Sequence, residues 1–440
     1  MAGDAQRSVP LPIGERQMRS ISGKGETVMS EDRRVVVTGV GAITPVGNNA
    51  NVTWENLKNG KNGIAPITQF DTEKFKAKLG AEVKDFDPGQ YLDVNDVLRT
   101  DRYAQLAVGA AQQAVEESGI EGNVKPERFA VLFGSGIGGI GTFEKEHTKL
   151  MERGPRRVSP LFVPMMIANM AAGMIAIRHD CRGTAMPAVT ACASGSNAIG
   201  EAMRMIRHGY ADAVITGGTE AAINASSVAG FSNMLALSTA ENPDEASLPF
   251  DKRRGGFVIG EGAVALVLEE YEHAKQRGAE IYGEVCGYGT TCDAYHITAP
   301  HPEGRGGAQA MKDAMQECGY SEKDIVYINA HGTGTPMNDA VETAVIKKAL
   351  GDKAAHEAYV SSTKSMTGHM LGAAGALEAF ACLQALREGI IPPTINLKEP
   401  DEACDLNYVP NTAVKADITL ALSNSLGFGG HNACLAFRKV

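Results

Sequence analysis

The sequence has no run of about 18 consecutive apolar residues, which argues against a membrane-spanning helix. Basic residues are not in excess either: 42 Lys and Arg stand against 52 Asp and Glu, a formal net charge of −10. A chain with that field does not hold nucleic acid through its bulk charge, and an acidic partner would need a local basic patch. The eight cysteines (Cys181, Cys192, Cys286, Cys292, Cys318, Cys382, Cys404, Cys434) contain no Cys-x-x-Cys pair and no short regular spacing. Neither a zinc site nor a disulfide framework is indicated, and a reducing compartment, the cytoplasm, is expected. Tryptophan occurs once and glycine 50 times, the composition of a turn-rich compact enzyme.

Residues 1–32 differ in character from the rest of the chain. Arg7, Arg16, Arg19 and Lys24 stand among Ser, Gly and Pro without a strong apolar period, so the segment reads as a leader or disordered extension. As a transit peptide it would make the protein organellar, but Asp4, Glu15 and Glu26 oppose that reading because such peptides are poor in acids. An extension upstream of Met29 is the other possibility.

The ordered chain is expected to open with a buried strand, Arg33 to Gly41, followed by a helix over Asp101 to Glu117 and a strand over Phe129 to Phe133. Met186 to Thr190 reads as a strand, Ala191 to Gly195 as a tight turn and Asn197 to His208 as a helix stopped by Gly209. From Ile281 the pattern recurs. Strands are expected at Ile281 to Gly287, Ile325 to Ala330 and Tyr359 to Ser362, and helices at Gly307 to Cys318, Asn338 to Leu350 and Gly372 to Arg387. Two similar βα series point to duplication in an α/β protein, divided into residues 33–280 and 281–440.

Cys192 lies at the strand-to-helix turn. A thiol reacts as thiolate, and a helix start stabilises negative charge; taken alone, the residue also fits a buried structural cysteine. His331, in Asn329-Ala330-His331-Gly332-Thr333-Gly334-Thr335, and His369, in Lys364-Ser365-Met366-Thr367-Gly368-His369, both lie where the chain turns through small residues. An isolated histidine is often a structural hydrogen-bonding group. Two neutral imidazoles beside a thiol have a further use: their Nε2–H donors can hold a thioester carbonyl and stabilise the enolate left when a carboxylate departs as CO2. That chemistry requires no cofactor. Lys364 is placed to set the local field, with Glu378 as its partner. Gly427-Phe428-Gly429-Gly430 is a turn whose backbone N–H at Phe428 can pair with that of Cys192 as an oxyanion hole; it also reads as a plain strand-joining turn. Gly134 to Gly139 lacks the spacing of a dinucleotide-binding fingerprint.

Together these motifs, with Thr190 to Gly195 and Asn424 to Gly430, resemble the β-ketoacyl-acyl-carrier-protein synthases, most closely the type II elongating enzymes, over Arg33 to Val440. The resemblance implies a thiolase-like fold of two pseudo-duplicated halves layered α-β-α-β-α, the first carrying the nucleophile and the second both histidines. It implies that Cys192 takes an acyl chain from acyl carrier protein, and that the histidines promote decarboxylation of the malonyl-loaded carrier to give a 3-oxoacyl product and CO2 in fatty-acid elongation. It further implies a homodimer, Phe428 as a gate, Ile137 and Phe231 as acyl-pocket lining, and Asn329, Glu378, Ser423 and Asn424 around a possible structural monovalent cation. The chain departs from the common pattern at Ala193, Leu426 and His431. Arg99 and Arg102 are the only basic residues over Val94 to Arg102, and Leu235 falls where a basic residue is common. That thin edge keeps open a ketosynthase of a polyketide or other specialised pathway. A non-catalytic chain-length subunit, which lacks the cysteine, is the third reading.

Overall fold

Ten strands carry the architecture of the protein, seen in a computed structural model that describes residues 33–440; the expected leader, residues 1–32, lies outside the described residues. The first half runs β1 (Val35–Ile43), α1 (Arg102–Ser118), β2 (Phe129–Gly134), α2 (Met170–Arg178), β3 (Ala185–Ala188), α3 (Ser194–Arg207), β4 (Ala213–Glu220) and β5 (Gly262–Glu270). The second runs β6 (Gly283–Cys292), α4 (Arg305–Glu317), β7 (Val326–Asn329), α5 (Pro336–Leu350), β8 (Tyr359–Ser361), α6 (Ala374–Glu388), β9 (Leu420–Gly427) and β10 (His431–Arg438).

The duplication is visible in the strand order, β8-β7-β9-β10-β6-β1-β5-β4-β2-β3. Adding five to each first-half strand reproduces the second half. Strand directions match as well: β2 is parallel to β3 and β4, as β7 is to β8 and β9, while β5 and β10 run antiparallel to their neighbours. The halves meet at β1 and β6, which pair only through Val36 with Glu284 and Val37 with Gly283. The result is two mixed five-stranded sheets joined at a narrow seam.

Helix burial explains the layers. Every residue of α6 from Ala374 to Leu386 is buried, the mark of a helix with protein on all sides. It shares a core with α3: Ile199 and Met203 of α3 pack with Ala376 and Phe380 of α6 and with Leu266 and Leu435 from the two sheets. Outside, α1 and α2 cover one sheet through Leu106, Ala110 and Ile175 against Val131, Ile215 and Val267. On the other side α4 and α5 cover the second through Met311, Ala314 and Ile346 against Ile328 and Leu422. This is the α-β-α-β-α arrangement of the thiolase-like fold, with α3 and α6 as its central layer and β3 and β8 at the two outer edges of the strand order.

Three local expectations shift. The strand before Cys192 is Ala185–Ala188, an exposed sheet edge. The chain leaves it early because Thr190 N donates to Ser194 Oγ (2.9 Å), which itself donates to Ala191 O (2.7 Å). The following helix accordingly starts at Ser194, after a 3-10 turn at Ala191–Ala193. Lys364–Thr367, expected as loop, forms a short helical turn. Among the described residues no helix is long and apolar enough to cross a membrane.

The seat of α3 on β6 depends on a missing side chain. A Cβ at Gly200 would lie 2.3 Å from the ring of Tyr288, so Gly200→Ala is expected to overpack the core and cost about 1–3 kcal/mol. Urea denaturation reads this as a lowered midpoint, and an unchanged midpoint would refute the close approach.

Candidate active site

Cys192 is held in a turn used twice. In the first half Ala191–Ala193 forms a 3-10 turn leading into α3; in the second, Leu371–Ala373 forms one leading into α6. Each turn opens on a non-glycine residue in the left-handed region, Ala191 at φ 50° and Leu371 at φ 46°. Such backbone costs on the order of 1–3 kcal/mol and persists where surrounding structure enforces it. Cys192 and Gly372 are therefore equivalent positions.

The end of β9 reaches the cysteine from the other half. A Cβ at Gly427 would lie 3.3 Å from the backbone nitrogens of Cys192 and Ala193, and the N–H of Phe428 is near enough to the Cys192 thiol to favour its ionised form. The turn beyond is tied down: Gly429 N donates to Ile297 O (2.8 Å) and Asp293 N to Gly430 O (2.9 Å). Gly429 and Gly430 adopt φ of 82° and 76°, which favours glycine.

His331 follows β7 and His369 follows the Lys364–Thr367 turn, and both are buried. One ligating atom each from Cys192, His331 and His369 lie within 4.8 Å of one another, and the imidazole centroids are 5.3 Å apart at 86°. The tautomers follow from the partners. Leu371 N donates to His369 Nδ1 (3.3 Å), and the Lys364 ammonium, which can only donate, lies 3.5 Å from His331 Nδ1. Each ring therefore presents Nε2–H to the site, and His369 Nε2 has no partner among the described residues. Two nitrogens held as donors offer no lone pair to a metal, so the trio forms a pair of hydrogen-bond donors beside a thiol.

The electrostatics agree. Burial holds both histidines well below the ordinary imidazole range, reinforced by Lys364, so both are neutral. Lys364 is ion-paired with Glu378, also buried; burial raises that carboxyl while Lys364 opposes the rise. Burial pushes the Cys192 thiol up to about 11, against the pull of Lys364 and the Phe428 N–H. The expected lowering by a helix start is thus outweighed: the thiol sits before the helix proper, and desolvation dominates.

A cavity of about 410 Å³ opens onto Cys192, His331 and His369, lined by Ile137, Phe231 and Phe428 among others. An aromatic row leads inward: Phe428 to Phe231 at 6.4 Å, Phe231 to Phe257 at 5.5 Å and Phe257 to His369 at 5.2 Å between centroids. The rim carries exposed Leu235 and Met337. Of the thin basic edge, Arg102 is committed to buried Glu261 (2.7 Å) and is not a free docking charge.

Asn329 and Ser423 are register partners on adjacent parallel strands. Both amide atoms of Asn329, Ser423 Oγ and Glu378 Oε2 are buried without a partner among the described residues. Unpartnered oxygens and one carboxylate suit a hard cation. Asn424 Oδ1 is likewise buried without a partner among the described residues, while its Nδ2 lies 3.3 Å from Met311 Sδ.

Three acids that the motifs did not reveal hold these loops. Glu342 accepts from His331 N and Gly332 N (both 2.7 Å), Asp339 from Phe250 N (2.7 Å) and Gly334 N (3.2 Å), and Glu220 from Gly136 N (2.8 Å) and Gly372 N (3.0 Å).

A duplicated thiolase-like fold with a thiol facing two donor imidazoles across its seam defines a condensing enzyme. The comparisons agree: residues 32–274 match the family model "Beta-ketoacyl synthase, N-terminal domain" and residues 282–398 match "Beta-ketoacyl synthase, C-terminal domain". The chain belongs to the β-ketoacyl synthase family. It is 53% identical over 411 residues to a 3-oxoacyl-[acyl-carrier-protein] synthase 2 of Synechocystis sp., covering 93% of this chain and 99% of that protein. It is 51% identical over 412 residues to the protein of the same name from Staphylococcus aureus strain COL, again covering 93% and 99%. Among solved structures, AntDE:AntF, a type II PKS acyl-carrier protein in complex with its ketosynthase bound to the hexaketide, superposes with a TM-score of 0.86 at 34% identity, covering 93% of this chain and 100% of that one.

With the free thiol pushed up to about 11, alkylation of Cys192 by iodoacetamide is expected to quicken about tenfold per pH unit between pH 7 and 10. Lys364→Met removes a charge that favours the thiolate and is expected to slow alkylation at every pH in that range. A plateau below pH 8 in the native protein would contradict the raised thiol.

Proposed function

We propose that the chain elongates carrier-bound acyl chains by decarboxylative Claisen condensation in fatty-acid synthesis, with Cys192 as nucleophile. The observation that carries this reading is the pair of imidazoles held with Nε2–H facing the thiol. The Cys192 sulfur attacks the acyl thioester, its proton passes to the departing carrier thiolate, and the acyl chain enters the cavity past Ile137 and Phe231. Malonyl-loaded carrier then binds with its thioester oxygen between His331 and His369. Loss of CO2 places the electron pair in an enolate, which those two N–H donors stabilise. The enolate carbon attacks the Cys192 thioester, the N–H groups of Cys192 and Phe428 hold the oxyanion, and collapse expels the thiolate and releases a 3-oxoacyl-carrier product two carbons longer. Lys364 supports the thiolate and keeps His331 neutral, with Glu378 fixing Lys364.

The partner is an acyl carrier protein. Lys74, Lys76 and Lys78 are exposed and form no ion pair among the described residues. They flank Phe75, which packs against the apolar cluster containing Cys192 and Phe257, and so present positive charge near the site despite the net negative chain. A homodimer fits the exposed edge strand β3, where Met186 and neighbouring Val189 are about half exposed, since an open sheet edge invites pairing with a second copy. Eight free thiols suit the cytoplasm. A ketosynthase of a specialised pathway remains the second reading, favoured by Leu235 at the rim in place of a basic residue; a non-catalytic subunit is opposed by Cys192 in its elbow.

Intact-mass spectrometry after incubation with acyl carriers of graded length is expected to show one acyl adduct, lost in Cys192→Ala, and loading from the cell's fatty-acid carrier at least as fast as from a polyketide carrier. Preferential loading from the latter would select the second reading. His331→Ala and His369→Ala are each expected to lower CO2 release from malonyl carrier by about 10²–10³; wild-type release rates in both would remove the proposed chemistry.

No cofactor enters these steps. A monovalent cation such as potassium would be held by Asn329, Ser423 and Glu378, where it would neutralise the carboxylate oxygen that Lys364 leaves free. Exchanging potassium for a bulky organic cation at equal ionic strength is expected to lower the melting temperature of the native protein and to have little effect on Ser423→Val. Equal melting temperatures in both salts would exclude the site.

A further inference from the structure

Glu220, the last residue of β4, is fully buried and forms no ion pair among the described residues. A buried carboxylate without a cation is expensive unless hydrogen bonds replace its water. Here four do. Oε1 accepts from Ser135 Oγ (3.0 Å) and Ile137 N (3.2 Å), and Oε2 accepts from Gly136 N (2.8 Å) and Gly372 N (3.0 Å). Burial pushes its carboxyl up to about 7 and these donors oppose the rise.

The donors belong to different halves. Ser135, Gly136 and Ile137 follow β2, and Ile137 lines the cavity; Gly372 lies in the turn before α6. Gly372 is the second half's counterpart of Cys192, and Glu220 ends β4 as Gly427 ends β9. Each of these strands thus delivers its last residues into the opposite half's elbow: β9 brings the Phe428 N–H to the Cys192 thiol, and β4 brings a carboxylate to the Gly372 N–H. The adjacent Leu371 N–H is the donor to His369 Nδ1. The approach is close, since a Cβ at Gly372 would lie 2.4 Å from Gly136 N and 2.8 Å from Glu220 Oε2.

We infer that Glu220 is a positioning residue for decarboxylation: by gripping Gly372 it holds the strained Leu371 turn, so that the Leu371 N–H occupies His369 Nδ1 and leaves Nε2–H aimed at the substrate. This rests on the reading of His369 as an enolate donor. Glu220 touches neither substrate nor thiol in this role. An amide in its place keeps the volume but brings an NH2 group against backbone donors, and the turn loses part of its hold.

Glu220→Gln tests this through two measurements. In protein with 15N-labelled histidine, the His369 resonances report which ring nitrogen carries the proton. The native protein is expected to show Nε2–H alone, and the variant a mixture of tautomers. CO2 release from malonyl carrier is expected to fall at least tenfold, while acylation of Cys192, whose thiol the Glu220 charge helps to raise, is slowed less than threefold or quickened, a split that general loosening of the fold would not produce. Glu220→Asp, which keeps the charge with one methylene less reach, and Gly372→Ala, which strikes the same contact from the other side, are carried alongside so that a folded variant is compared; both are expected to shift the tautomer in the same sense. An unaltered tautomer and an unaltered CO2 rate in any folded variant would overturn the role of Glu220. Failure of the underlying reading looks different: native protein would then release no CO2, or His369→Ala would release it at the native rate.

Discussion

One buried ammonium organises the site. Lys364 is enclosed with Glu378 as its ion-pair partner and with His331 Nδ1 on its other side. Removing an ammonium and a carboxylate from water is costly, and mutual attraction offsets that cost only with good geometry. What the pair provides is a fixed positive field next to two imidazoles and a thiol. Burial is the main cause that keeps His331 and His369 unprotonated; the Lys364 charge reinforces it and at the same time favours ionisation of Cys192. The charge stays put; the groups around it do the chemistry.

The fold makes this arrangement possible by bringing the turns of two equivalent βα series together at the starts of the central helices α3 and α6. Because β1 and β6 touch over only two residue pairs, the sheets are coupled mainly through the shared central layer of α3 and α6. The elbows at the starts of those helices therefore face each other across a short distance. Residues nearly 180 positions apart, such as Cys192 and His369, become neighbours without either half having to assemble the site by itself.

Much of this was legible in the letters. Glycine-punctuated βα alternation announced a duplicated α/β protein, and the motifs around Cys192, His331 and His369 announced their loops because small flanking residues mark places where the chain turns tightly. Other features were hidden because their causes are tertiary. Glu220 and Gly372 are 152 residues apart, and nothing local distinguishes an acid that binds backbone N–H groups from one that faces water. The same holds for Glu342 and Asp339, and for Arg102, which reads as an exposed basic residue until Glu261 is seen against it. The direction of the Cys192 shift was missed for a related reason: a helix start is local, but burial is set by the surrounding protein. The five-strand order repeats in space and not in matching letters, since each half needs only the same apolar pattern.

Holding both imidazoles as neutral N–H donors has a consequence for product identity. An imidazolium is a strong enough acid to hand its proton to a carbanion, and an enolate formed beside one would end as an acetyl group, a wasted extender unit. A neutral imidazole is a far weaker acid: it lends its hydrogen bond to the enolate oxygen and keeps its proton. In the proposed condensation, desolvation of His331 and His369 would therefore protect the reactive carbon for as long as it takes to reach the thioester on Cys192. On that reading, burial of the two imidazoles favours a carbon–carbon bond over a carbon–hydrogen bond.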